Sequence, residues 1–196
     1  MAEKERVMER IAGWPAGEPM VERLESERPI RLFVSHATAD QNLASDLIEL
    51  IRESVDIVRQ EIRCTSVPGY GLGIARHIPT ELLKELEDST IVLAVITRSS
   101  LQSGWVMMEL GAAWIEKKLW IVLDSGIGID ELPVPLREYH LLRLSDKSDL
   151  VQLTDAIAMR LGRRKRGGEY AADIFLERRQ ATESDIPADN AGFSSR

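Results

Sequence analysis

The segment SGWVMMELGAAW, residues 103–114, places one carboxylate, Glu109, among tryptophan, methionine and aliphatic side chains. Charged side chains are rarely buried unless a partner compensates them. Trp105 and Glu109 are four residues apart, which puts both on the same face of a helix. Two interpretations are open: a carboxylate favoured by the positive end of a helix dipole, or an acid held beside an aromatic wall for chemistry.

Short apolar segments alternate with amphipathic ones through residues 29–161 and would position this helix. Strands are predicted at residues 30–34, 61–65, 91–96, 119–123 and 141–144, with helical segments between them and a last helix at 149–161. Such alternation predicts an α/β fold with a mostly parallel sheet. Five strands suit a flavodoxin-like, doubly wound sheet in the order 2-1-3-4-5, with helices on both faces.

In that order the chain direction switches between strands one and three, and ligands bind there, beyond the carboxyl ends of the strands. The first strand ends at Ser35 and His36, and the third ends before Thr97. The helix after strand three begins near Trp105 at the same edge of the sheet. Glu109 is therefore expected to face this crevice.

The composition restricts the partners. The formal net charge of −7 and the isoelectric point near 5.1 argue against nucleic-acid binding. Cys64 is the single cysteine, and the three histidines have no zinc-type spacing, so no metal site is predicted. We find neither a signal peptide nor an apolar run of membrane-spanning length, which predicts a cytoplasmic protein that does not bind membranes.

Two segments flank the predicted domain. Residues 1–28 are charged and are expected to form a helical lead segment. Residues 162–196 begin with the basic cluster RRKR and continue as a polar stretch. We predict that this C-terminal part is a partly disordered tail.

Three motifs in this order resemble a TIR (Toll/interleukin-1 receptor) domain: RLFVSHATAD at 31–40, SVPGYGLG at 66–73 and SGWVMMELG at 103–111. The third is similar to the Trp-x-x-x-Glu pattern of the enzymatic members, with Trp105 and Glu109 in place. The basic–acidic pair that precedes Pro-Gly in receptor and adaptor members is absent. The chain is therefore more similar to bacterial TIR enzymes than to animal receptors.

This resemblance implies an NAD⁺ glycohydrolase or cyclase that cleaves the nicotinamide–ribose bond in bacterial anti-phage signalling or virulence. It implies Glu109 as the catalytic residue, NAD⁺ as substrate, and neither a cofactor nor a metal. The substrate-binding residues that it implies are Trp105, Ser35, His36, Ala37, Thr97, Ser66, Pro68, Gly69 and Tyr70. The loop at 66–73 would then close over the ligand, although a plain surface turn fits it too.

Two other functions stay open. A non-enzymatic TIR–TIR interaction module would pair with itself and with an effector or sensor protein. A nucleoside deoxyribosyltransferase-like enzyme would also use a glutamate on an N-glycosidic bond.

Overall fold

The computed structural model describes residues 30–70 and 78–184. Its strands are β1 (Leu32–Ser35), β2 (Ile62–Arg63), β3 (Ile91–Ile96), β4 (Leu119–Leu123) and β5 (Leu141–Arg143). Its helices are α1 (Gln41–Ser54), α2 (Ile78–Asp88), α3 (Arg98–Gln102), α4 (Gly104–Ile115), α5 (Lys147–Leu161) and α6 (Gly168–Ser184). Within these ranges, none of the helices combines the length and the apolar character that crossing a membrane requires.

The strands form one parallel sheet in the order β2-β1-β3-β4-β5, which confirms the predicted topology. Every residue of β3 is buried, as expected for a central parallel strand covered on both faces. Leu93 pairs with Val34 of β1 on one side and with Trp120 of β4 on the other. The switch point therefore lies between β1 and β3.

Two hydrophobic layers cover the faces of the sheet. Leu32 and Val34 face the layer built with α1, α5 and α6, while Phe33 faces the layer built with α2 and α4. Side chains alternate between the faces along a strand. At the end of β1, Ser35 consequently points toward α4 and His36 points toward the α1 side.

Two local differences from the sequence predictions concern the edges of this frame. The second strand is only Ile62–Arg63, because the chain turns back after it: the N–H of Val67 donates to the C=O of Cys64, and the N–H of Cys64 donates to the C=O of Tyr70. We call Cys64–Tyr70 the β2 loop. The predicted loop before α4 contains the short helix α3, which Thr97 caps by accepting a hydrogen bond from the N–H of Ser100 at 3.0 Å.

The C-terminal segment also differs from the prediction. Residues 168–184, expected within a partly disordered tail, form α6, and Ala171, Ala172 and Phe175 bury their side chains in the core. These residues at i, i+1 and i+4 make an apolar stripe that packs on α1 and α5, between charged residues that stay at the surface. The predicted lead segment, 1–28, lies outside the described residues.

Candidate functional site

The candidate site is built where β1 and α4 meet at the carboxyl edge of the sheet. Ser103 caps α4, because its Oγ accepts a hydrogen bond from the N–H of Val106 at 3.3 Å. Val106, Leu110 and Ala113 anchor the helix on the sheet. This orientation brings Glu109, on the second turn of the helix, to the end of β1.

Glu109 is held by two hydrogen bonds, one on each carboxylate oxygen. The Ser35 hydroxyl donates to Oε2 at 2.6 Å, and the Trp105 indole N–H donates to Oε1 at 2.7 Å. Glu109 is 4% exposed, whereas the Trp105 side chain is 40% exposed. A carboxylate has about four lone-pair positions, so further donors can still bind to it.

Burial dominates the electrostatics of this carboxylate. Loss of solvation raises the pKa of Glu109, while the hydrogen bonds from Ser35 and Trp105 lower it. The net direction is upward, because burial disfavours the charged form more strongly than two neutral donors favour it. The ionised form of Glu109 is therefore costly in this site unless a positive charge lies beside it.

A second set of polar contacts surrounds the His36 ring on the other face of the sheet. The Ser66 hydroxyl hydrogen-bonds to His36 Nε2, and Nδ1 lies 3.3 Å from the C=O of Val34. Cys64 Sγ lies 3.6 Å from Nδ1. Burial lowers the pKa of His36 and raises the pKa of the Cys64 thiol to about 12, so both side chains are neutral at neutral pH.

A third contact crosses the switch point. The Thr97 hydroxyl, after β3, donates to Asp40 Oδ2 at 2.6 Å, and the N–H of Asp40 donates to the C=O of Ala37 at 2.8 Å. These bonds join the end of β3 to the short 3-10 turn Thr38–Asp40 that precedes α1. The carboxyl ends of the two strands at the switch point are thus lined by polar side chains.

The family model described as "TIR domain" matches residues 32–156, which is more than half of the chain. The chain belongs to the TIR domain family. A solved structure of a metazoan TIR-STING receptor from C. gigas in complex with 2',3'-cGAMP is 23% identical, covers 66% of this chain and has a TM-score of 0.46. This chain spans 38% of the length of that receptor chain. The search of curated proteins found no match to the present chain.

The structure of this TIR domain brings most of the predicted site residues to one edge of the sheet. Ser35, Trp105 and Glu109 form one hydrogen-bonded group, and His36 and Ser66 form another. The side chains of Ser35, His36, Ala37 and Thr97 are all buried. In this conformation the side chains of Ser35, His36 and Thr97 hydrogen-bond to other side chains of the protein. Trp105 is the partly exposed side chain next to Glu109.

Pro68, Gly69 and Tyr70 are anchored elsewhere. Arg59 Nε donates to the C=O of Gly69 at 2.8 Å, and its guanidinium lies 5.1 Å from the centre of the Tyr70 ring. Tyr70 also packs against the hydrophobic layer on the α1 side. These contacts favour an anchored turn for residues 68–70, while residues 71–73 of the predicted closing loop lie outside the described residues.

Sequence reasoning missed three residues of this region: Asp40 as the partner of Thr97, Cys64 beside His36, and Arg59 under the β2 loop. Strand alternation could have placed Cys64 on the same face of the sheet as His36. Ile62 of β2 faces the α1 side, and Cys64, two residues later, is expected to face the same side. Nothing in the spacing of Arg59 indicates its contact with Gly69.

Proposed function

We propose that this TIR domain is an NAD⁺ nucleosidase that cleaves the nicotinamide–ribose bond with Glu109. The observation that carries the proposal is a buried carboxylate at the carboxyl edge of the sheet, beside the switch point, with one donor on each oxygen and a partly exposed tryptophan next to it. Carboxylates buried without a cation as hydrogen-bond partner are costly, and they occur where chemistry uses the charge.

The reaction requires little more than this carboxylate. As the N-glycosidic bond breaks, the ribose acquires oxocarbenium character, and a negative charge beside it stabilises that transition state. Nicotinamide leaves as a neutral molecule, so no general acid has to protonate it. NAD⁺ is thus the substrate, and neither a cofactor nor a metal takes part in the proposed step.

The hydrogen bonds to Glu109 have a defined role in this proposal. Ser35 and Trp105 keep the carboxylate in one orientation before substrate arrives, which reduces reorganisation in the transition state. The remaining lone pairs of Glu109 accept a ribose hydroxyl, and the exposed part of Trp105 forms the adjacent wall. Water would give linear ADP-ribose, and a hydroxyl or ring nitrogen of the substrate would give a cyclic product.

The experiment compares nicotinamide release by the wild type, Glu109→Gln and the matched control Glu138→Gln, whose carboxylate is exposed. Loss of one preorganised electrostatic group costs about 10²- to 10³-fold in kcat, so Glu109→Gln should lose most turnover and Glu138→Gln should lose none. Chromatography of the products separates linear from cyclic ADP-ribose. Equal release by wild type and Glu109→Gln would refute the assignment, and base exchange on deoxynucleosides would indicate a deoxyribosyltransferase instead.

A cellular role in bacterial anti-phage signalling or virulence belongs to the same proposal. NAD⁺ cleavage in a cell would deplete a central cofactor or release a signalling nucleotide. Phage challenge of cells that produce wild type or Glu109→Gln would test this role, with protection expected only for the wild type.

Pairing of TIR domains is the second candidate function, and one observation favours it. The outer side of α4 exposes Trp105, Met108, Trp114 and Ile115, which are 40, 45, 50 and 74% exposed. Exposed apolar side chains grouped on one helix are typical of interaction surfaces. Self-association and NAD⁺ cleavage are compatible, whereas a purely non-enzymatic module would release no nicotinamide in any assembly state.

Light scattering over a range of protein concentrations and ionic strengths tests this candidate. We expect the average mass of the wild type to rise with concentration, and Ile115→Lys to suppress the rise. Met159→Lys is the matched control, because Met159 is an exposed apolar residue on a different helix, α5. A wild type that stays monomeric throughout, or two variants that assemble equally, would count against pairing through α4.

A further inference from the structure

The last residues of β1 connect two separate hydrogen-bonded groups on opposite faces of the sheet. Ser35 points toward α4 and donates to Glu109, whereas His36 points the other way and contacts Ser66 of the β2 loop. One short piece of backbone therefore carries both the partner of the proposed catalytic carboxylate and the partner of the neighbouring loop.

The partners of His36 determine which ring nitrogen carries the proton. A carbonyl oxygen can only accept, so Nδ1, 3.3 Å from the C=O of Val34, is the protonated nitrogen. Nε2 is then an acceptor, and the Ser66 hydroxyl donates to it. His36 is 8% exposed, which leaves no room for a ligand to replace Ser66 unless the loop moves.

We infer that His36 is a positioning residue that holds Ser66, and with it the part of the β2 loop nearest the end of β1, in place for substrate binding. This inference rests on the proposed NAD⁺ cleavage. The other end of the loop is held independently, since Arg59 donates to the C=O of Gly69 at 2.8 Å and Arg63 donates to the C=O of Tyr70 at 3.0 Å. Next to Ser66, Val67 is buried in the hydrophobic layer on the α1 side. The His36–Ser66 bond is the side-chain hydrogen bond that joins this part of the loop to the end of β1.

The charges around His36 indicate how this attachment responds to pH. Among the described residues, the ionisable groups that act on the ring are Asp40 in the following turn and Cys64 in contact with it, and Glu109 on α4 interacts with Cys64. Asp40 favours a protonated ring, and burial opposes it more strongly. A second proton would reverse the bond, with Nε2 donating to Ser66 Oγ, and would leave a charged ring buried. Acid therefore favours a state in which the loop has moved away and water solvates the ring.

Steady-state kinetics on three serine variants test the inference. Ser66→Ala removes the donor, and we expect KM for NAD⁺ to rise about three- to tenfold, the effect of one net hydrogen bond, with kcat changed less than about twofold. Ser66→Thr keeps the hydroxyl and should restore KM. Ser145→Ala, at an exposed serine outside the site, is the matched control and should match the wild type.

The pH profile provides a readout that a merely structural role would not move. In the wild type KM should rise as the pH falls through the lowered pKa of His36, whereas in Ser66→Ala KM should already be high and should not depend on that titration. Effects of Glu109 protonation appear in kcat of both proteins. An unchanged KM in Ser66→Ala, or a kcat that falls as much as kcat/KM, would overturn the inference.

Two measurements without substrate separate this inference from the proposed function. Nitrogen-15 NMR of the imidazoles should show His36 as the neutral tautomer with the proton on Nδ1, and Ser66→Ala should shift its Nε2 signal. Amide exchange in the β2 loop should be about tenfold faster in Ser66→Ala than in Ser66→Thr, the effect of one net hydrogen bond on local opening. If the NMR signal and the amide exchange change as expected while the wild type does not cleave NAD⁺, only the proposed function is refuted. If Ser66→Ala changes neither the Nε2 signal nor the amide exchange, the attachment of the loop by His36 is refuted.

Discussion

Glu109 illustrates a conflict between stability and chemistry within one residue. Burial of its carboxylate raises its pKa, which means that folding favours the protonated form over the ionised one. The ionised form is the one that could stabilise a ribosyl cation. Ionisation of Glu109 in the folded protein therefore lowers the free energy of unfolding.

The first prediction follows from the sign of this shift. Because the folded-state pKa of Glu109 lies above the ordinary value of 4.5, the stability that Glu109 contributes is complete at lower pH and is lost as the pH rises through the folded-state pKa. Glu109→Gln, which carries no charge, should gain in thermal midpoint relative to wild type as the pH rises from 4 to 8. For a chain of this size, a gain of about 1 kcal/mol corresponds to about 2–4 °C.

Differential scanning fluorimetry at several pH values measures this effect, with Glu138→Gln as the exposed control. A difference between Glu109→Gln and wild type that stays constant from pH 4 to pH 8 would show that the carboxylate titrates normally. A lower midpoint at pH 8 would show that its two hydrogen bonds outweigh the cost of its burial.

At the residue scale, the sequence predicts the pair Trp105 and Glu109, because helical spacing alone places them on one face. It also predicts that the end of β1 lies nearby, because parallel strands end at the same edge. The spacing does not reveal which hydroxyl bonds to Glu109 or that His36 bonds to Ser66. The bond to Glu109 depends on how α4 packs against the end of β1, and the His36–Ser66 bond depends on the path of the β2 loop, which the short turn after Arg63 sets.

At the scale of elements, α6 shows the limit of hydrophobic patterning. Its buried residues, Ala171, Ala172 and Phe175, are few and small apart from the phenylalanine, and charged residues surround them. A segment of this kind looks like a solvated helix or a polar tail until its partners are known. Its packing surface is provided by α1, which is distant in the chain, and by α5, the helix that directly precedes it.

The start of α6 gives the second prediction. A Cβ added at Gly168 would lie 2.8 Å from Thr154 Oγ1, a fully buried and β-branched side chain on α5 that has little freedom to move. Gly168→Ala should therefore lower the free energy of unfolding by about 1–3 kcal/mol, the usual cost of overpacking. Chemical denaturation measures this change.

Gly167→Ala is the matched control, because a Cβ there meets nothing within 4 Å. It should be neutral or slightly stabilising, by about 0.4–1 kcal/mol at most, through the restricted unfolded chain. Equal stability of the two variants would mean that α6 does not begin against α5 as the structure has it.

At the scale of the whole molecule, the parallel sheet is predictable and its outer layer is not. The order of strands follows from alternating strand and helix segments, from short connections and from the preference for right-handed crossovers. The family model ends at residue 156, within α5, and so does not include the helix that covers α1 and α5. The folding unit is therefore larger than the family match, because a buried phenylalanine of α6 belongs to the same core as β1.

Truncation after Gly162 tests this view of the folding unit. It would remove Ala171, Ala172 and Phe175 from the core and leave the buried Glu61 without Arg163, its ion-pair partner. Loss of a buried phenylalanine side chain alone costs about 3–5 kcal/mol, and a buried charge left unpaired costs about as much again. Since domains are stable by about 5–15 kcal/mol, the truncated chain should be unfolded or aggregated at 25 °C.

The control is truncation after Ser184, which retains α6 and the contacts of Phe175 and Arg163 and should keep the thermal midpoint of the full chain. Phe175→Ala in the full chain provides a graded test, with an expected loss of about 3–5 kcal/mol in denaturant unfolding. If the chain that ends at Gly162 were monodisperse and melted within about 2 °C of the full chain, α6 would be dispensable and residues 30–162 would be the folding unit. Because Glu109 lies on the opposite face of the sheet from α6, Phe175→Ala should also retain the kcat of the wild type at temperatures where it is folded.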